Sequence, residues 1–397
     1  MIFGFGKWRG RENWPYPHIK VEVSSINILG ITYAHEINTS VDIAWSDVLL
    51  KIKRKICSLS SRSFTIFQRA LIINTIILSK VWYIAHTYPL PSKYSKLINN
   101  EIFPYLWLSK YNPLKRDNVH QCKYNGGLGV LNVLHKAQSI LVSTFLKQFL
   151  NSQEDESILK YYCSLRMNPI FNIRETPLNV SFVCPKYFND IIVHTRKTIH
   201  MPKFPNLNSQ DIYSASLPKV QPNVHQDSTI NWKRSLKNLH FKFINIRERE
   251  IVFKYLHNII TTKKRLYQIK RAESPLCELC DVIEDTKHMF CDCIKVALVK
   301  GYFKKLLRIL CIIDSRNMNK ILHLDIVGQS NKDTNTAVVL TTSYISTIWF
   351  NRGNNVQIQP SIYQTSILKH KRLLSIILKN KMTKLFSNKY CNIEGSL

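Results

Sequence analysis

The sequence predicts a mainly α-helical fold, with a short β segment at its N-terminal end and a small CCHC zinc knuckle in its second half. Three observations lead there. Apolar residues recur at spacings of three and four over several long stretches, which marks amphipathic helices. Residues 1–34 instead carry Gly4, Gly6, Gly10, Pro15 and Pro17 ahead of an apolar run around Gly30, the texture of strands and turns. Cys277, Cys280, His288 and Cys293 stand at C-x2-C-x7-H-x4-C spacing.

A two-stranded unit is marginal in water, so residues 1–34 either pack on the helices that follow or trail from a larger element. Over 41–59 the residues Val41, Trp45, Val48, Leu49, Ile52, Ile56 and Leu59 form one apolar face, and Thr39-x-x-Asp42 reads as a capping box at its start. The opposite face carries Lys51, Lys53, Arg54 and Lys55, a stripe suited to phosphates or simply to solvent. A second helix is predicted over 64–87, apolar nearly all round and therefore buried, stopping before Pro89 because proline disfavours the helical conformation of its predecessor. A third begins near Ser92; Pro104 lies inside it and costs about 3 kcal/mol there, so a kink or a break is expected. Gly126-Gly127-Leu128-Gly129 marks a sharp turn, since it lacks the Lys-Ser/Thr of a phosphate loop and the last glycine of a dinucleotide fingerprint.

Residues 131–150 form another amphipathic helix, with Leu134, Ala137, Leu141 and Phe145 inward. The periodicity then fades, and 200–228, with Pro202, Pro205, Pro218 and Pro222 among Asn, Ser and Gln, reads as a linker. Order returns at Trp232, and a long helical pattern runs through 247–260 into Thr262-Lys263-Lys264-Arg265-Leu266. Residues 294–312 are helical and basic; 334–350 are apolar and β-branched, assigned as helix in preference to strand. The pattern over 367–385 is a basic amphipathic helix, read as a terminal packing helix with a solvated or nucleic-acid-facing side in preference to a membrane-surface or calmodulin-target helix. The resulting organisation is a β segment at 1–34, a helical bundle at 35–110, a helical connector at 111–165, an irregular region and linker at 166–230, the zinc-bearing domain at 231–312 and C-terminal helices at 313–397.

A chain of 397 residues with 45% apolar content, 18 Phe and 18 Tyr buries a sizeable core. Its 56 Lys and Arg against 26 Asp and Glu leave a formal charge of +30. Such an excess repels itself in a compact state and points to a polyanionic partner, nucleic acid first and an anionic membrane surface second. No apolar run reaches the ~18 residues that span a bilayer, and residues 70–78 are interrupted by Asn74 and Thr75. The first residues lack the basic-then-apolar order of a signal peptide. An intracellular protein of nucleus or cytoplasm, not secreted, is expected. Its scattered Cys57, Cys122, Cys163, Cys184, Cys311 and Cys391 are expected to be reduced.

Three thiolates and one imidazole suit Zn²⁺, a d¹⁰ ion that accepts mixed sulfur and nitrogen ligands at tetrahedral angles. With all four positions filled by protein, no site remains for an activated water, so the zinc is structural. Cys291 competes for the fourth position through H-x2-C, and spacing alone leaves Cys291 and Cys293 both open.

Several stretches in the same order resemble the part of non-LTR (LINE-type) retrotransposon reverse transcriptases that lies downstream of the polymerase centre. These are Phe3-Gly4-Phe5-Gly6-Lys7-Trp8 with Trp14-Pro15, Ile28-Leu29-Gly30-Ile31, Ala70-Leu71-Ile72-Ile73-Asn74 with Leu78-Ser79-Lys80-Val81-Trp82-Tyr83, Ile102-Phe103-Pro104-Tyr105-Leu106-Trp107, and the Gly126 turn. In the second half they are Phe253-Lys254-Tyr255-Leu256-His257-Asn258, Thr262, Arg265-Leu266, the cysteine motif with Glu284-Asp285, and Ile348-Trp349-x2-Arg352-x-Asn354. The resemblance implies a primer-grip remnant, a thumb, a connector and a zinc-binding domain, with Cys293 as the fourth ligand. It also implies nucleic acid, as RNA, DNA or hybrid duplex, as the partner, with Lys51, Arg54, Lys55, Lys263, Lys264 and Arg265 as the first candidates to meet phosphates.

The chain departs from the family in one decisive respect. A polymerase centre needs neighbouring carboxylates for two metal ions, and no Asp-Asp pair occurs anywhere; the fingers and most of the palm would lie upstream of Met1. No catalytic residue is assigned, and a nucleic-acid-binding fragment without RNA-directed DNA polymerase activity is expected. The other expectations are a domesticated zinc-containing protein-interaction module and a non-functional remnant of a transposable element.

Overall fold

In the computed structural model, residues 2–3, 21–22, 25–151, 158–171, 180–201, 204–218, 228–309, 317–353 and 356–369 are described. The fold is mainly helical. Its strands are few: β1 (Ile2–Phe3) pairs in parallel with β2 (Val21–Glu22), and β3 (Ser25–Ile28) forms an antiparallel hairpin with β4 (Ile31–Ala34). Leu29 and Gly30 both take positive φ in that hairpin, as a two-residue turn matched to strand twist requires, and Asn27 Oδ1 accepts the Gly30 N–H at 2.9 Å. The chain divides into two compact units. The first holds Met1–Phe64, Gln68–Asn112 and Val130–Lys219; the second holds Thr65–Phe67, Pro113–Gly129 and Val220–Leu397.

In the first unit, α1 (Ile37–Ser60) packs on the hairpin and on α4 (Ser92–Trp107), burying Ala44, Trp45, Val48 and Ile52. Trp45 donates its indole N–H to the Pro89 carbonyl at 2.9 Å, so its one polar atom is satisfied in the core. The capping box expected at Thr39 and Asp42 does not form. The helix begins at Ile37, and Ser40 Oγ instead accepts the Ala34 N–H at 2.7 Å, tying helix to strand. The predicted single helix over 64–87 is α2 (Ile66–Ile72), a π-turn over Ile73–Ile77 and α3 (Ser79–Ala85). Asn74 explains the interruption, because its side-chain Oδ1 accepts the Leu131 N–H at 2.9 Å and its carbonyl accepts from Trp82 Nε1. Burial is also one-sided, with Leu71 and Ile76 exposed. Pro104 neither breaks nor ends α4 at once: the helix runs three residues further and closes at Leu108 in the left-handed region.

Between α4 and α6 the chain forms α5 (Arg116–His120), which lies in the second unit with the glycine turn. Then α6 (Val133–Asn151), α7 (Ile158–Phe171), α8 (Lys186–Arg196) and α9 (Ser209–Ser216) enclose a core of Phe145, Phe149, Cys163, Met167, Ile191 and Leu207. Here α9 lies inside the stretch expected to be a linker. Asn208 caps it through two N–H bonds, and Ile212 and Tyr213 are buried. Within that stretch 202–203 and 219–227 lie outside the described residues, as do Trp14-Pro15, Cys311, Cys391 and the basic pattern beyond 369.

The second unit is built on α10 (Trp232–Leu239), α11 (Ile246–Leu256), α12 (Lys263–Gln268), α13 (Ala297–Ile309), α14 (Met318–Leu322), α15 (Asn331–Phe350) and α16 (Pro360–Leu368). Its centre is α15, buried without interruption from Thr336 to Ile348. β-Branched residues favour strands, yet here Thr336, Thr341 and Thr347 donate their hydroxyls to carbonyls four residues back, which lets polar side chains lie in a dry helix. Phe303 stacks on Tyr344 at 4.4 Å, and Tyr363 closes the cluster edge-on. The pattern read as one helix from 247 into 266 is two, because Asn258 takes a left-handed φ of 51° and Thr262 caps α12 through the Arg265 N–H. Among the described residues no helix is long and apolar enough to cross a membrane.

Candidate metal centre and basic surfaces

The candidate metal centre is assembled from a tight hairpin and a single π-turn. Leu276 and Ile283 form an antiparallel bridge, the Cys277 N–H donates to Val282 O at 2.8 Å, and Asp281 turns the chain at a φ of 52°. That hairpin holds Cys277 and Cys280. Asp285 Oδ1 then accepts the His288 N–H at 2.8 Å, and the Cys293 N–H closes a five-residue turn on His288 O at 2.8 Å. The turn (His288–Asp292) is π, and Met289 and Phe290 within it are buried. Tyr344 donates its hydroxyl to Phe290 O at 2.9 Å, anchoring the turn to α15.

One ligand atom from each of Cys277, Cys280, His288 and Cys293 lies within 4.8 Å of the others, so the four can hold a metal ion. Cys293 Sγ is 3.8 Å from Cys277 Sγ and 3.7 Å from Cys280 Sγ. A tetrahedral ion with metal–sulfur bonds of about 2.3 Å separates its sulfurs by about 3.8 Å, which these spacings match. His288 Nε2 is buried with no hydrogen-bond partner, an orphan that a metal–nitrogen bond would satisfy. Cys291 is not in the cluster: it lines an adjacent cavity, and its carbonyl accepts from Lys300 Nζ at 2.6 Å.

The thiols are electrostatically unequal. Burial raises Cys277, but the N–H groups of Leu279 and Cys280, with His288 and Cys293, outweigh it and bring the thiol to about 7. Burial, with the neighbouring sulfurs of Cys280 and Cys277, pushes Cys293 up to about 12 against the Lys295 N–H. Around them, the Ile294 N–H points at Cys280 Sγ at 3.5 Å, a donor suited to a thiolate.

The six basic candidates fall in two places, and their surroundings differ. In the first unit Lys51, Arg54 and Lys55 line an open hollow together with Ser79, Lys80 and Tyr83. Lys51 is paired with Asp47 at 2.6 Å, and Lys55 donates to Ile76 O and Ser79 Oγ. Lys80 lies over the Tyr83 ring at 4.3 Å, and its pKa is lowered by burial and by Lys51. Sequence reading missed Lys80 and Tyr83; their i, i+3 spacing on α3 was the available signal. In the second unit Lys263 is tied to the knuckle, its ammonium 2.5 Å from Glu278 and its N–H on Glu284 Oε1. Lys264 and Arg265 line the cavity beside Cys291.

No family profile and no curated protein sequence matches the chain.

Proposed function

We propose that the chain is a nucleic-acid-binding polypeptide resembling the thumb-to-zinc-domain part of a LINE-type reverse transcriptase, carrying one structural Zn²⁺ and no polymerase activity of its own. The observation that carries this reading is the hollow on the first unit. It gathers Lys51, Arg54, Lys55 and Lys80 from two helices, with Asp47 as the acidic neighbour of Lys51, in a chain of charge +30. Four cations on a concave surface suit the phosphates of one strand, giving affinity and register without base recognition. Zn²⁺, when bound, supplies a cross-link between hairpin and π-turn; four protein ligands leave it no open position for catalysis. Reduced thiols at such a site fit a nuclear or cytoplasmic setting, and the eight described cysteines are unbridged.

The test is a titration of a labelled RNA–DNA hybrid, repeated with a scrambled sequence and with vesicles rich in anionic lipid as competitor. Similar affinity for both sequences, with weak competition by vesicles of equal charge, supports the reading. Efficient competition by the vesicles assigns the charge to a membrane surface.

A second reading rests on a different observation. Leu279, Val282, Ile283 and Ile294 project from the knuckle with exposures of 42, 47, 51 and 52%. Aliphatic side chains displayed on a metal-stapled hairpin suit a protein partner. Retention of nucleic-acid affinity after all four are changed to Ser would leave that apolar surface without a role in the leading reading.

A further inference from the structure

Beside the metal centre the second unit has a cavity of about 740 Å³, within the range of small-ligand sites. Its lining combines three kinds of group. Lys264, Arg265, Lys287 and Lys300 supply four positive charges, against Asp285 and Asp292. Both carboxylates already have partners, Asp285 on the His288 N–H and Asp292 at 3.7 Å from Lys287. Lys264 has no carboxylate within ion-pair distance among the described residues, and of the Arg265 guanidinium only Nη1 is engaged among them, on Asn258 O. On another part of the lining the rings of Tyr255 and His323, buried like Leu322 beside them, meet at 5.2 Å and reach the cavity by their edges. Gln268 and Asn319 add amide groups to the lining.

Cations, aromatic and apolar surface and amides around one volume match the three parts of a nucleotide: phosphate, base face and base edge. We propose that this cavity binds a single nucleotide, its phosphate held by Lys264 and Arg265 and its base against Tyr255 and His323. The proposal deepens the nucleic-acid reading, because the 5′-phosphorylated end of a strand is one source of such a nucleotide; a free mononucleotide is the other. Since Asp285 to Asp292 belongs to the π-turn and the segment leading into it, one wall of the cavity is set by the metal centre.

The experiment titrates the full chain, with metal content verified, against AMP, adenosine and inorganic phosphate by calorimetry. AMP is expected to saturate at one per chain. Adenosine, without the charge-assisted bonds, and phosphate, without the base, should each bind at least ~10-fold more weakly. The double variant Lys264→Ala/Arg265→Ala should lose at least ~10-fold in AMP affinity with unchanged metal content and helicity, and Lys264→Arg in an otherwise native chain should retain most of it because the charge is kept. Displacement of a 5′-phosphorylated single strand by AMP assigns the site to strand ends; AMP binding without displacement assigns it to free nucleotide. No saturable AMP binding, or AMP binding unaltered in the double variant, overturns the proposal. The two readings fail separately. Salt-sensitive duplex binding without AMP binding leaves the nucleic-acid function standing and removes the cavity site, and AMP binding without duplex binding does the reverse.

Discussion

Four residues separate His288 from Cys293, and a π-turn closed by the Cys293 N–H on His288 O is what brings both side chains to one point. That geometry chooses between the two cysteines that spacing left open. Cys293→Ser is therefore expected to lose the metal, whereas Cys291→Ser keeps it at one equivalent, as metal analysis of reduced protein would read. Equal loss in both variants would contradict the assignment. A different local constraint governs Gly127. A Cβ there would lie 1.9 Å from Gln121 O and 2.7 Å from Asn118 O, both backbone atoms in the turn that carries the Gly129 N–H to Gln121 O. Gly127→Ala should destabilise the second unit by about 2–4 kcal/mol, visible in denaturant unfolding. Unfolding at the native midpoint would show that the turn yields cheaply.

Among the elements, the helices of α1, α4 and α6 were legible because a buried stripe imposes its period on the sequence, whereas α15, buried all round, offers no such period. What escaped has a physical cause in each case. The break in 66–85 depends on Asn74 finding Leu131, a partner 57 residues away that local pattern cannot supply. The linker reading failed at 209–216 because a capped helix of eight residues needs little periodicity once Asn208 satisfies its first N–H groups. The four candidate metal ligands were legible as a set, while the tie of Lys263 to the knuckle was not, since it is defined by Glu278, a neighbour distant in sequence. The knuckle itself has one bridge pair and little core, so its fold should depend on the ion. Chelation is expected to release hydrogen-exchange protection over 275–293 and to spare α1 and α4; protection retained after complete removal of the metal would contradict this. Its pH dependence follows from Cys293. Raised to about 12, that thiol is protonated at neutral pH and must give up its proton to bind, so protons are products and affinity rises with pH. The logarithm of the binding constant should climb by about one or more per pH unit above 7, and more steeply below 7, where Cys277 also carries a proton.

For the whole molecule, the charge of +30 was the clearest signal in the sequence, and the fold gives part of it a location rather than a new meaning. The chain is expected to extend no primer on a primed RNA template with Mg²⁺ or Mn²⁺, since no Asp-Asp pair is present to hold two ions. Nucleotide incorporation above that of a Cys280→Ser control prepared identically would contradict that expectation. The nucleic-acid reading itself stands or falls on the salt dependence of hybrid-duplex binding. Neutralising six or more phosphates costs about 10³-fold in affinity between 50 and 200 mM salt, with a slope near −0.9 per neutralised phosphate on B-form DNA. Replacing Lys51, Arg54, Lys55 and Lys80 by alanine should flatten that slope by about 0.9 for each phosphate no longer neutralised, weaken all sequences alike and leave metal content unchanged. A shallow slope in the native chain, or one that the four substitutions leave unaltered, would contradict the account.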